Sequence, residues 1–169
     1  MMPALLVAGL WGFSTLAVGG ALTRLGPWYF GLSKPPWQPP GWLFGPAWAT
    51  IMALAAYAAA TGWERAGSPG ERGLIVALFL LNGALNILWS ALFFNRQRPD
   101  WALAEVPVLW LSIVAPMAVL WPVSHMASLL LLPYALWVAF AAVLNRDIVR
   151  RNAPFAGRRA DAALPSPNC

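Results

Sequence analysis

Residues 73–94 read GLIVALFLLNGALNILWSALFF, and no charged side chain stands between Arg72 and Arg96. A run of this length passes the threshold of about 18 apolar residues for a membrane-spanning helix. Its two amides, Asn82 and Asn86, stand four residues apart on one helical face, which continues into Trp89 or Ser90 and then Phe93. Amides are costly against lipid, so this face is expected to point into a bundle of helices. Two uses for it remain open at this point: hydrogen bonds between helices, which need no ligand, or the polar wall of a binding cavity.

Working outward, similar runs flank this one on both sides. Spans are predicted at about 2–24, 42–63, 73–94, 101–121 and 126–145, which makes the chain an all-α membrane protein with five transmembrane helices in one bundle. Tryptophans bracket the second and fourth spans, as interfacial anchors do. The fourth span contains Pro107 and Pro116 and the fifth Pro133, residues that membrane helices tolerate, often with a kink. A cleaved signal peptide fits the first run poorly, because a basic n-region is missing and the run is long for an h-region. Residues 1–152 form the predicted transmembrane domain, and 153–169 read as a disordered basic tail.

Composition agrees. Of 169 residues 60% are hydrophobic and 10% charged, with a mean hydropathy of +0.62, whereas soluble domains carry roughly a quarter charged residues. The net charge of +5 is concentrated after the last apolar run, at Arg146, Arg150, Arg151, Arg158 and Arg159. Beside a membrane such a cluster sets orientation or touches anionic lipid, and no nucleic-acid partner is expected. The first loop, third loop and tail carry nine of the eleven Lys and Arg residues, against Arg65 and Arg72 on the opposite side. That asymmetry predicts a cytoplasmic first loop and C-terminus.

Chemistry-bearing residues are few. Cys169 is the only cysteine and His125 the only histidine, so neither a disulfide nor a metal site is expected, and His125, in a short loop, is a poor axial haem ligand. No Ser–His or Cys–His arrangement suggests hydrolysis. Glu105, about one turn inside the fourth span, reads as an interface marker. The eleven tryptophans stand out instead. A headgroup-level belt accounts for Trp42, Trp63 and Trp121. It accounts less well for Trp37, held in KPPWQPP at residues 34–40, where prolines stiffen the loop and suit it to act as a lid over a cavity. Tyr134, Trp137 and Ala141 form one stripe on the fifth helix, which by itself reads as core packing.

These residues carry a family resemblance. Trp28-Tyr29, the run Lys34 to Trp42, and Gly45 to Trp48 closely resemble the first-loop signature of the translocator protein family, also called the tryptophan-rich sensory protein (TspO) or peripheral benzodiazepine receptor family. The resemblance continues through Ala84 to Asn86 with Trp89, Phe93-Phe94 and Trp101 to Leu103. It ends in Pro133-Tyr134 with Trp137, Phe140 and Leu144-Asn145. It implies a homodimeric five-helix bundle whose cavity, closed by the first loop, binds porphyrin, haem, cholesterol-like lipids or isoquinoline and benzodiazepine drugs. Carried over by position, the pocket takes in Trp37, Trp48, Asn86, Trp89, Trp101, Trp137 and Ala141. The polar and aromatic faces read from the residues themselves add Asn82, Phe93 and Tyr134. Three departures stand out: Met52 replaces a common tyrosine, Ser90 a common proline, and 144–151 lacks the tyrosine of the animal cholesterol consensus. A bacterial member is the more natural reading.

Three functions follow as expectations. The first is a membrane binding and regulatory protein that holds a tetrapyrrole or lipid-like molecule and requires no cofactor. The second is a light-dependent enzyme that degrades protoporphyrin, with Trp37 and Trp137 as candidate participants. The third, a transporter, ranks last, because internal repeats and mid-membrane carboxylates are lacking.

Overall fold

The third span begins where its local chemistry directs. In the computed structural model, which describes residues 1–155, the Ser68 side chain accepts a hydrogen bond from the Glu71 amide at 3.2 Å, and Glu71 reaches back to the Gly67 amide at 2.7 Å. Pro69 occupies the first turn, where its missing N–H costs nothing. The helix therefore starts at Pro69, four residues before the expected span. The polar turn between the second and third spans shrinks accordingly to residues 66–68.

The described residues form α1 (Met2–Leu22), α2 (Pro27–Phe30), α3 (Gly41–Arg65), α4 (Pro69–Ser90), α5 (Pro99–Leu120), α6 (His125–Leu129) and α7 (Leu132–Asn152). A π-helical turn, Ala91–Asn95, prolongs α4. Five segments are long and apolar enough to cross a membrane: α1, α3, α4 with its π-turn, α5, and α6 together with α7. α7 runs to Asn152, about two turns past the expected end, with Arg150 and Arg151 in its last turn, where cations complement free carbonyls. Of the expected disordered tail, Ala153 to Phe155 are described and Phe155 packs on an apolar cluster. The rest of that expectation lies outside the described residues.

α1 packs on α3 and α4, α4 on α5, and α5 on α7. Between membrane helices the hydrophobic effect is weak, so small residues and polar pairs set the contacts. Gly83 of α4 faces Trp11 and Thr15 of α1 so closely that an added Cβ would stand 2.7 Å from Trp11 Nε1. Asn82 donates to Ser112 Oγ at 2.9 Å, tying α4 to α5. Asn145 of α7, in the amide orientation that satisfies both groups, donates to the Pro99 carbonyl and accepts from the Leu103 amide, at 3.1 Å each. Those are the two groups that ordinary i to i+4 pairing would join, so α7 inserts a side chain into the first turn of α5.

The two ends of the bundle are distinct. At one end the Asn152 side chain holds the first loop, accepting from the Ser33 amide (2.9 Å) and donating to the Ser33 carbonyl (2.8 Å). At the other the terminal ammonium of Met1 pairs with Glu64 at 2.7 Å.

Candidate functional site

The backbones of α3 and α7 approach each other little, and aromatic side chains fill the space between them. Trp48 of α3 meets Tyr134 and Trp137 of α7 edge-on, with ring centroids 5.8 and 6.5 Å apart. Phe44, one turn earlier, meets Trp137 at 5.7 Å. Trp37, on the first loop, meets Phe140 at 5.8 Å, and Phe140 lies 5.7 Å from Trp137. Edge-to-face pairs of this kind are favourable but each worth only about 0.5–1.5 kcal/mol beyond burial. Rings of comparable face can therefore replace them.

The loop is ordered by more than proline. Besides the Asn152 latch, Lys34 donates to the Tyr29 carbonyl at 2.6 Å and lies 4.2 Å from the Tyr29 ring centroid. Burial lowers the pKa of its ammonium from the ordinary 10.5. Gln38 closes a turn onto the Pro35 carbonyl at 3.1 Å. Trp37 is 44% exposed, so the loop presents an indole to its surroundings as well as to Phe140.

Polar groups enter from α4. The Asn86 amide donates to the Tyr134 hydroxyl at 2.9 Å, with both residues buried. One turn before it, Asn82 is also buried, engaged with Ser112 through its amide nitrogen. The structure thus brings together Trp37, Trp48, Asn82, Asn86, Tyr134 and Trp137 between the loop, α3, α4 and α7. Ala141 is half-buried one turn beyond Trp137. Trp89 and Phe93 stack at 5.1 Å in a neighbouring cluster with Trp28, Leu32 and Phe94, and Trp89 touches the main core as well. Trp101 stands apart: it is 50% exposed, with the Arg98 guanidinium 4.3 Å from its ring centroid.

The family model for the TspO/MBR family matches residues 4–151. This chain belongs to the TspO/MBR family. The tryptophan-rich protein TspO of Chlorobaculum tepidum is 41% identical over 146 residues, covering 81% of this chain and 90% of that protein. The translocator protein of Sus scrofa is 38% identical, covering 87% and 86% respectively, and the tryptophan-rich sensory protein of Cereibacter sphaeroides 36%, covering 80% and 84%. The matched stretch takes in the loop, nearly all of the five membrane-crossing segments and every aromatic residue of the site, so the site lies within the TspO/MBR framework.

A cavity of about 410 Å³ lies elsewhere on this TspO/MBR bundle, lined among others by Val7, Trp11, Ala60, Trp63, Phe79 and Leu80. It sits toward the Met1–Glu64 end, away from the loop, and its lining is almost wholly apolar, as suits a cleft facing lipid tails. Binding sites combine apolar walls with a few placed polar groups, and these lie under the loop. The site therefore goes there. Among the described residues no group of three or more His, Cys, Asp or Glu is placed to hold a metal ion. Sequence reasoning took Asn152 only as the end of the domain, Glu105 only as an interface marker, and Phe140 only as part of the family resemblance. Phe140 alone had a readable signal, since it follows Trp137 by three residues on one face.

Proposed function

We propose that this chain is a membrane binding and regulatory protein that holds a porphyrin-type tetrapyrrole, or a lipid-like molecule with a similar flat apolar face, between the first loop and α7. Haem is the metallated form of the same ligand. The supporting observation is the convergence of Trp37, Phe44 and Trp48 on the single face of α7 made by Tyr134, Trp137 and Phe140. These rings come from the first loop, α3 and α7, and spreading the first two from α7 exposes flat surfaces on both sides with the Asn86–Tyr134 bond at the floor. The names of relatives, among them translocator and sensory proteins, are consistent with binding and regulation. As further parts of this proposal, the protein is a homodimer in a bacterial membrane, with its first loop and C-terminus in the cytoplasm.

The test is an absorption titration of purified protein with protoporphyrin, first in darkness and then under light. Saturable binding at one ring per chain in darkness, with an unaltered spectrum after extraction, supports the proposal. Partitioning no greater than into empty detergent micelles sinks it.

A second reading has one observation in its favour. Trp37 and Trp137 lie 5.8 and 5.7 Å from the same phenyl ring, that of Phe140, so two oxidisable indoles flank one position. A ring placed there under light and dioxygen would meet indoles held in fixed geometry, which is the condition for directed rather than random oxidation. If this degradation is enzymatic, Trp37→Phe or Trp137→Phe abolishes a discrete product while much of the dark affinity remains. A product and rate equal to those of free porphyrin in micelles would leave binding as the whole function.

A further inference from the structure

Glu105 lies on α5 and falls on the same face as the buried residues Ala102, Leu109 and Ser112. Both of its carboxyl oxygens are buried, and among the described residues neither has a hydrogen-bond partner. The Oδ1 of Asn82 is in the same condition, its amide nitrogen being spent on Ser112. The Tyr134 hydroxyl, which already accepts from Asn86, stands beside Asn82 and within electrostatic reach of Glu105. Arg98, the cation nearest in sequence, is held by Asp100 at 2.5 and 2.8 Å. A seam between α4, α5 and α7 therefore holds two carboxyl oxygens that, among the described residues, no donor answers, with the Asn82 carbonyl and the Tyr134 hydroxyl nearby.

Polar groups left this way in a membrane span are expensive, and where they persist they mark a ligand path or a relay. The seam adjoins the site: Trp48 packs on the Tyr134 ring, and α5 is pinned to α7 on either side of Glu105, by Asn145 at Pro99 and Leu103 and by Trp110 at the Ala135 carbonyl. A ligand that spreads Trp48 from Trp137 meets Tyr134, the residue of α7 that faces this seam through its bond to Asn86. A site lined with unanswered acceptors discriminates strongly in favour of molecules that bring a donor, because the analogue lacking it leaves the buried oxygens unpaired.

We propose that Glu105 is the specificity-determining acceptor of this site and selects flat, apolar ring molecules that carry an N–H. The ligand class is thus ring-nitrogen donors, such as free-base pyrrolic, indolic or carbazole-like molecules, rather than their N-alkylated or ether counterparts. The inference rests on the reading that ligands enter between the first loop and α7, but it does not require the ligand to be a porphyrin.

The probe pair is carbazole and N-methylcarbazole, which share an outline and differ in the one donor. Binding is followed by fluorescence to the full chain in lipid nanodiscs. The intact protein should prefer carbazole by about tenfold, the scale of one hydrogen bond to a buried carboxyl group. Glu105→Leu should bring that ratio to about one, and Glu105→Gln, which keeps a carbonyl acceptor, should retain most of it. A thermal unfolding midpoint measured for each variant separates loss of recognition from loss of fold. Equal binding of both probes by the intact protein, including no binding of either, overturns the proposal. So does a preference that survives in Glu105→Leu, or a Glu105→Leu loss shared equally by both probes. Protoporphyrin titrated into the same samples keeps the two claims apart: if the carbazole preference stands and protoporphyrin does not bind, only the porphyrin reading fails.

Discussion

Trp137 touches Phe44, Trp48 and Phe140 at once, so it is the residue whose loss removes most of one ring-binding wall. Trp137→Ala should weaken dark protoporphyrin binding by about 1–3 kcal/mol, the sum of a lost aromatic contact and lost burial. Trp63 is the matched control, since it lines the apolar cleft near the other end of the bundle and carries Arg72 5.5 Å from its ring centroid. Trp63→Ala should leave the affinity within experimental scatter, and comparable losses in both variants would mean that binding is nonspecific. Asn152 acts on the same site from outside it. Its side chain makes two hydrogen bonds to the Ser33 backbone, each worth about 1 kcal/mol net, and Asn152→Ala should speed amide exchange at Ser33, Lys34, Trp37 and Gln38, the residues of the 33–40 segment that carry an amide proton, while leaving the helices protected. Unchanged exchange there would show that the prolines and the Lys34 and Gln38 contacts hold the loop without the latch. Asn82, Asn86 and Tyr134 were legible in the sequence because helical spacing announces a shared face. The parts of Asn152 and Glu105 were not, because one bonds a residue 119 positions away and the other is singled out only by buried oxygens that lack a partner among the described residues.

At the scale of elements, five spans were legible from apolar runs alone, since the length needed to cross a bilayer leaves little freedom. Their ends were not. α4 starts early because Ser68, Pro69 and Glu71 cap it, a local signal that a hydropathy reading passes over as a polar turn. α7 ends late because its last turn is polar and basic, so apolarity stops before the helix does. The π-turn Ala91–Asn95 and the insertion of Asn145 into α5 depend on contacts between helices, which no run of residues reveals. Helix contact itself yields a prediction. Ala at position 83 would place a methyl 2.7 Å from Trp11 Nε1 and 3.0 Å from Thr15 Oγ1, whereas at position 73 on the same helix it meets nothing within 4 Å. Gly83→Ala should therefore lower thermal stability in detergent, by about 1–3 kcal/mol for an overpacked site. Gly73→Ala should leave it unchanged or raise it slightly through helix propensity. Equal midpoints for the two variants would show that α1 and α4 are free to move apart.

For the whole molecule the remaining question is which end faces which side. The Asn152–Ser33 pairing puts the first loop and the end of α7 at one end of the bundle, and the Met1–Glu64 ion pair puts the N-terminus and the second loop at the other. Nine of the eleven lysines and arginines fall in the first loop, the third loop or the segment from Arg146 onward, leaving Arg65 and Arg72 opposite. Positive residues in short loops are retained on the cytoplasmic side during insertion. An odd number of spans then forces the two termini to opposite sides, so one measurement checks the other. A reporter active only in the cytoplasm should be active when fused after Asn152 and silent when fused before Met1, and a periplasmic reporter should give the reverse. Neutralising Arg96 and Arg98 together should blur this pattern more than neutralising Arg65 and Arg72, because only the first pair lies on the charge-rich side. A signal from the opposite side for the Asn152 fusion would invert the proposed orientation, so that the end of the bundle carrying the first loop would face away from the cytoplasm.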